Sequence, residues 1–153
     1  MQTSRSIWLS DLNCFLLCIV WIPSRHMRIS PTTLTQLETA LADVRAALTQ
    51  AAGGQAVCAI HKFGTPSEAL KYNEGKEFVL RDVLRLLRKD APAADVTALL
   101  AEHARTFAGY RTSTVTTTPA WQAYAQGGLD GVTFARTLLG IASPHGAPTT
   151  RPD

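Results

Sequence analysis

The sequence contains few of the residues that build disulfide frameworks or metal sites. Its 153 residues include three cysteines, and two of them, Cys14 and Cys18, lie in an apolar N-terminal run. Three cysteines are too few for a disulfide framework, and no Cys or His spacing matches a zinc-binding pattern. Cys58 is then alone in the body of the chain, where a small buried side chain is the ordinary interpretation. We expect no bound metal and a reducing, cytoplasmic compartment.

The motifs of well-known catalytic and nucleotide-binding sites are also missing. Gly53-Gly54 and Gly127-Gly128 follow or join predicted helices, which is not the context of a phosphate-binding loop. No serine lies in a nucleophile elbow. Cys58 and His61 are three residues apart in a predicted strand, so they point to opposite faces and do not form a dyad. We therefore assign no catalytic residue and no cofactor, and a small enzyme without a recognisable motif is the third functional hypothesis.

The composition is that of a globular domain with a mild positive charge. Hydrophobic residues make up 46% of the chain, the mean hydropathy is +0.02, the formal net charge is +3 and the pI is about 9.0. A chain of this length can bury one core. The charge permits an anionic partner without requiring one.

Residues 1–26 differ in character from the rest of the chain. The unbroken apolar run at residues 14–22 is far shorter than the roughly 20 residues that cross a bilayer. No small-residue cleavage site follows it. We interpret residues 1–26 as an extension from a misassigned start codon. The alternative is a targeting peptide, which would make the protein exported or membrane-associated.

The first predicted helix has the clearest periodicity. A capping box of Thr33 and Gln36 would begin it, and Gly53-Gly54 would end it. Its apolar residues recur at spacings of three and four, and they are Leu34, Leu37, Leu41, Val44 and Leu48. We expect this stripe to lie on the sheet of its own domain, with a dimer seam as the alternative.

The next stretch is predicted to contain the sheet. Residues 56–63 and 68–72 are interpreted as strands, separated by a turn at residues 64–67 and ended by Asn73-Glu74-Gly75. From Phe78 the apolar period becomes helical. The element order from Thr33 to Lys89 resembles the opening of roadblock-type domains. That resemblance implies a dimerising scaffold for small GTPases or motors.

The second half is predicted to be mainly helical. One helix follows Pro92 and closes at Gly109, and residues 111–118 form either a strand or an extended surface segment. A short helix from Pro119 and a last helix are separated by Gly127-Gly128. Residues 142–153 form a disordered tail. The fold class is therefore α+β: a single domain over residues 30–141, with a small antiparallel sheet of two to three strands packed by three to five helices.

Basic and aromatic residues are interleaved from Lys62 to Lys89. This stretch has seven Lys or Arg against four acids, a net charge of +3, which equals that of the whole chain. Lysines beside aromatic rings at a sheet edge, with an arginine stripe on the following helix, can bind an anionic partner. The candidate binding residues are Lys62, Lys71, Tyr72, Lys76, Arg81, Arg85 and Arg88. The competing interpretation is that the rings are core and the charges only solvate the surface.

The leading functional hypothesis is a non-enzymatic binding or adaptor domain, a protein-interaction module that self-associates or binds a protein partner through the basic sheet edge and the Arg81–Arg88 helix. Such a module would use apolar residues of the first helix, or Trp121 and Tyr124. The alternative is a nucleic-acid-binding protein that uses the basic stretch. An enzyme would need a concave pocket that brings together His61, His103 or the carboxylates. Because His103 lies on the apolar face of its predicted helix, the simpler interpretation is a hydrogen-bonded core residue.

Overall fold

The fold is all-helical in the part of the chain that the computed structural model describes, which is residues 29–56, 60, 65–113 and 118–142. Four helices are seen there: α1 (Pro31–Ala51), α2 (Glu68–Leu87), α3 (Ala93–Thr112) and α4 (Pro119–Leu139). Contacts between their side chains show that α2 runs antiparallel to α1 and to α3, and parallel to α4. None of these helices is long and apolar enough to cross a membrane.

Helix α2 is the centre of the bundle and contacts each of the other three helices. Its sequence is apolar on several faces, and Val79, Leu80, Val83 and Leu84 are almost completely buried. A helix that packs against three others needs a wider apolar surface than a single stripe, and α2 leaves only its arginine face exposed along its C-terminal half. The core that surrounds it is completed by α1, α3 and α4 with the residues Leu37, Leu41, Val44, Val96, Leu100, Phe107, Val132 and Ala135.

Glycines let α2 and α4 pack with their backbones in contact. A Cβ added at Gly75 would overlap the carbonyl oxygen of Tyr124, and one added at Gly127 would overlap the carbonyl oxygen of Tyr72. A Cβ at Gly128 would overlap the ring of Phe107. Glycine costs helix stability relative to alanine, but here its missing side chain is what allows the close approach.

The predicted α+β fold class is wrong. Residues 68–72, interpreted as a strand, form the first turns of α2, which therefore begins ten residues before Phe78. Ser67 caps this helix by accepting a hydrogen bond from the backbone N–H of Leu70 at 3.2 Å. No strand is present among the described residues, and most of the other predicted strand, residues 57–59 and 61–63, lies outside them. The resemblance to roadblock-type domains loses its basis, because it required a second strand where α2 lies.

Other predicted boundaries also change. Gly109 does not end α3, which continues to Thr112, so the start of the possible strand at residues 111–118 is helical and residues 114–117 are not described. Gly127-Gly128 do not separate two helices, since α4 is continuous. The first helix is confirmed, although its cap is Ser30, whose hydroxyl accepts from the Thr33 N–H at 3.0 Å. Residues 1–26 and 143–153 lie outside the described part of the chain.

Candidate anion-binding groove

A groove of about 290 Å³ lies between α1 and the C-terminal half of α2. Leu41 and Leu84 form its apolar floor, and its rim consists of the cationic residues Arg45, Arg81, Arg85, Arg88 and Lys89. Arg81, Arg85 and Arg88 follow one another at helical spacing, so their positions span roughly 10 Å along the axis of α2. The predicted arginine stripe therefore lies along the rim of the groove, and α1 adds Arg45 to that rim.

Three carboxylates lie beside these cations. Glu77 accepts from Arg45 and from Arg81, each at 3.1 Å. Glu38 pairs with Arg88 at 2.8 Å, and Asp82 pairs with Arg85 at 3.1 Å. The guanidinium groups are about half or more exposed, and exposed ion pairs contribute only about 0–1 kcal/mol each. Arg88 can therefore exchange Glu38 for a ligand at small cost, whereas Arg81 and Arg85 would leave the mostly buried Glu77 and Asp82 less compensated.

The groove keeps an excess of positive charge. Five cations face three carboxylates, and Lys89 makes no ion pair with any described residue. Arg85, Arg88 and Lys89 also lie at the C-terminal end of α2, where the negative end of the helix dipole stabilises cations. An anionic group that enters the groove would therefore meet net positive charge above an apolar floor.

The other candidate binding residues do not join the groove. Lys71 is buried near the N-terminal end of α2, where its ammonium pairs with Glu74 at 2.8 Å and lies 5.1 Å from the ring centre of Trp121. The Tyr72 hydroxyl donates to Asp130 at 2.8 Å. Burial, together with the hydrogen bond and the charge of Asp130, raises the pKa of Tyr72 to about 12. Lys71 and Tyr72 thus hold α2 against α4.

Lys76 and Phe78, which belong to the interleaved basic and aromatic stretch, do not join the groove either. Lys76 lies over the ring of Phe134 at 5.9 Å, and Phe78 packs edge-on against His103 with ring centres 5.3 Å apart. Both side chains are engaged by neighbouring helices, so a nucleic-acid base would have to displace those contacts. Lys62 and Phe63 lie outside the described residues.

A buried carboxylate–histidine pair lies beneath the groove. Asp82 Oδ2 is 3.4 Å from Nε2 of His103, and both side chains are about nine-tenths buried. This approach does not have the geometry of a hydrogen bond, so Nε2 has no hydrogen-bond partner among the described residues. Burial lowers the pKa of His103, and the charge of Asp82 opposes that shift. The expected burial of His103 is confirmed, but its Nε2 makes no hydrogen bond among the described residues, and Asp82 is buried beside it.

A second surface feature lies at the opposite end of α2. Among the residues that the structure describes, Tyr110 and Trp121 are the exposed large apolar ones, and Trp121 packs edge-on against Tyr124 with ring centres 5.5 Å apart. Through Phe107 the cluster continues into the core. Its rings chiefly join the end of α3 to the start of α4. Part of it remains exposed to solvent, since Trp121 is 41% exposed.

Arg45 is the groove residue that the sequence did not indicate. It comes from the polar face of α1, and its local sequence resembles any solvated arginine. It reaches the groove only because α1 packs antiparallel to α2, which brings it to Glu77, 32 positions away in the chain.

The described residues contain no group of three or more His, Cys, Asp or Glu side chains that could hold a metal ion. No protein-family model, no curated protein and no solved structure matches the chain. The groove is therefore the feature on which a functional assignment rests.

Proposed function

We propose that the protein is a helical binding module that receives an acidic segment of a partner protein in the groove between α1 and α2. The observation that carries the proposal is the combination of an apolar floor, Leu41 and Leu84, with a rim of five cations. Acidic residues of the segment would pair with the arginines, and an apolar side chain would cover the leucines.

The dimensions of the groove favour a protein segment over a small molecule. About 290 Å³ is at the lower limit of the volumes typical of small-molecule sites. Peptides are commonly bound by grooves that take alternate or helically spaced side chains, which needs only shallow volume at each point.

The charge pattern favours an acidic peptide over nucleic acid. A phosphate backbone is bound mainly by cations, and its affinity rises with the number of phosphates neutralised. Here Arg45, Arg81, Arg85 and Arg88 each have a carboxylate partner, and those carboxylates would repel a dense row of phosphates. The aromatic rings that could stack bases are not part of the groove. Leu37 and Val44 of the apolar stripe of α1 are buried in the core, and of the buried residues of this stripe only Leu41 lines the groove.

The test is binding of the full chain to a labelled 20-residue peptide rich in Glu and Asp, with leucines at helical spacing, measured by fluorescence anisotropy. A second peptide with every leucine replaced by serine reports on the apolar floor. Single-stranded DNA, double-stranded DNA and RNA of similar length are measured beside it over a series of salt concentrations. We expect micromolar binding of the leucine peptide, weaker binding of the serine peptide, and weak binding of nucleic acid.

The triple variant Arg81→Gln, Arg85→Gln, Arg88→Gln should reduce the peptide affinity tenfold or more, which corresponds to about 1.4 kcal/mol. The matched control is Arg105→Gln on α3. Arg105 is exposed and pairs with Glu102 at 3.0 Å in the same i,i+3 arrangement as Arg85 with Asp82, but it does not line the groove. Its replacement should leave the affinity unchanged.

Two outcomes would overturn the proposal. If nucleic acid binds more tightly than the peptide, with a steep salt dependence that the triple variant abolishes, the groove is a nucleic-acid site. If no peptide binds at low salt, or if the triple variant and the Arg105 control behave alike, the groove is not a binding site for acidic segments.

A further inference from the structure

The carboxylate of Asp82 is shared between the groove and the interior. Its Oδ1 forms an ion pair with Nη2 of Arg85 at 3.1 Å, and Nε of Arg81 lies 4.0 Å away. Its Oδ2 faces His103 at 3.4 Å. One buried charge therefore has a cation on the solvent side and an imidazole on the inner side.

His103 is enclosed on its other sides by aromatic rings. Its ring centre is 5.3 Å from that of Phe78 and 6.3 Å from that of Phe107. The buried Nε2 has no hydrogen-bond partner among the described residues. A positive charge on that ring would lie close to the carboxylate of Asp82, so the stability of the protonated imidazole depends on how fully the charge of Asp82 is compensated from the groove.

We infer that binding of an acidic segment in the groove is coupled to proton uptake by His103 through Asp82. The inference rests on the proposed function and adds a regulation to it. When a ligand carboxylate draws Arg85 and Arg81 away from Asp82, the buried aspartate loses its compensating cation and attracts a proton to His103. The negative charge of the ligand acts in the same direction. Because linkage is reciprocal, the segment binds more tightly when His103 is protonated, and therefore at lower pH.

The charges that bear on His103 are few. Asp82 of α2 faces it directly and connects it to Arg85 and Arg81, and Glu102 of its own helix adds a smaller attraction for a proton. Among the described residues, α1 and α4 add no charge that shifts the pKa of His103. In the unliganded protein burial outweighs these attractions and lowers that pKa, so His103 is neutral near pH 7 until the groove is filled.

The test uses the full chain and the acidic leucine peptide between pH 6.0 and 7.5, where the peptide carboxylates stay ionised. Calorimetry in two buffers of different ionisation enthalpy measures the protons taken up on binding. We expect net proton uptake and a three- to tenfold gain in affinity from pH 7.5 to pH 6.0, since each unit by which binding raises the midpoint of His103 is worth up to tenfold. In the variant His103→Gln both effects should disappear while the affinity at pH 7.5 stays the same.

A direct readout covers the case in which His103→Gln does not fold. The chain has four histidines, so a variant with His26, His61 and His145 replaced by Gln leaves His103 as the single imidazole signal in a proton NMR titration. Its midpoint should rise when the peptide is present at saturation. If the peptide binds and depends on the groove arginines but the midpoint is unmoved or falls, the coupling is refuted and the proposed function stands. If the peptide does not bind at any pH, the proposed function itself has failed.

Discussion

Replacing Gly127 by alanine should lower the free energy of unfolding by about 2 kcal/mol, because the added carbon overlaps the backbone of α2. The new Cβ would collide with the carbonyl oxygen of Tyr72 and lie 2.7 Å from its carbonyl carbon. Both are backbone atoms, so no change of rotamer relieves the overlap, and α2 and α4 must move apart. Overpacking of this kind costs about 1–3 kcal/mol, and a backbone clash belongs at the upper end. Alanine returns about 0.5–1 kcal/mol through its helix propensity.

The measurement is thermal unfolding followed by circular dichroism, with urea unfolding as a second estimate. For a domain of about 100 residues each kcal/mol shifts the Tm by about 4–8 °C, so Gly127→Ala should melt roughly 8–16 °C below the wild type. Gly109→Ala is the matched control, since Gly109 is an exposed position in α3 with no atom within 4 Å of an added Cβ. That variant should gain about 0.5–1 kcal/mol. A Gly127→Ala protein that melts at or above the wild-type temperature would show that α2 and α4 do not pack through this glycine.

Two further predictions follow from the titrating groups. The phenol of Tyr72 should ionise near pH 12, at the end of the absorbance titration at 295 nm. The increase in absorbance that occurs only there should be missing in Tyr72→Phe. An early, uniform titration of all tyrosines would contradict the hydrogen bond to Asp130. Because the pKa of His103 is lower in the folded protein than its ordinary value of 6.5, the unfolded chain binds more protons below that pH, and stability should fall as the pH drops from 7 toward 5. Urea midpoints should lose part of this slope in His103→Gln, and an unchanged slope would exclude His103 as its source.

Helix α1 was predictable because local and tertiary signals agree there. Its leucine spacing is helical, and Gly53 and Gly54 after its end both adopt positive φ, the conformation for which glycine is suited. The apolar face that the leucine spacing predicts is the face buried in the structure, with Leu37, Leu41 and Val44 in the core.

Helix α2 was not predictable in this way, because it contains residues typical of turns whose roles depend on the folded structure. Asn73 and Gly75 are typical turn residues, and they led to the expectation of a strand and a loop. In the fold, the Asn73 side chain donates to the Ala69 carbonyl oxygen one turn earlier at 2.9 Å, and Gly75 meets the backbone of α4. Gly127 and Gly128 were interpreted as a break between two helices for the same reason. The partner of a packing glycine is remote in sequence, so no local pattern distinguishes it from a breaker.

The candidate site was predictable only where it lies on a single helix. The stripe of Arg81, Arg85 and Arg88 follows from α-helical spacing alone, and its exposure is as expected. Arg45 and the buried position of Asp82 depend on how α1 and α3 dock on α2, which the sequence does not encode locally. Lys71 and Tyr72 were assigned to the same surface because they were expected in a strand, whereas in a helix they face α4 and its neighbours.

The central helix thus carries two sets of residues whose roles can be separated by experiment. Its contacts with α4 depend on Gly75 and on the opposing Gly127, and substitution there should change stability without altering the charge of the groove. The guanidinium groups of Arg81, Arg85 and Arg88 are about half or more exposed, so their replacement by Gln should weaken peptide binding and lower the Tm less than Gly127→Ala does. If the triple Gln variant instead unfolds at the temperature expected for a core defect, the arginines hold α1 on α2, and the positive rim of the groove is a consequence of helix packing rather than a binding surface.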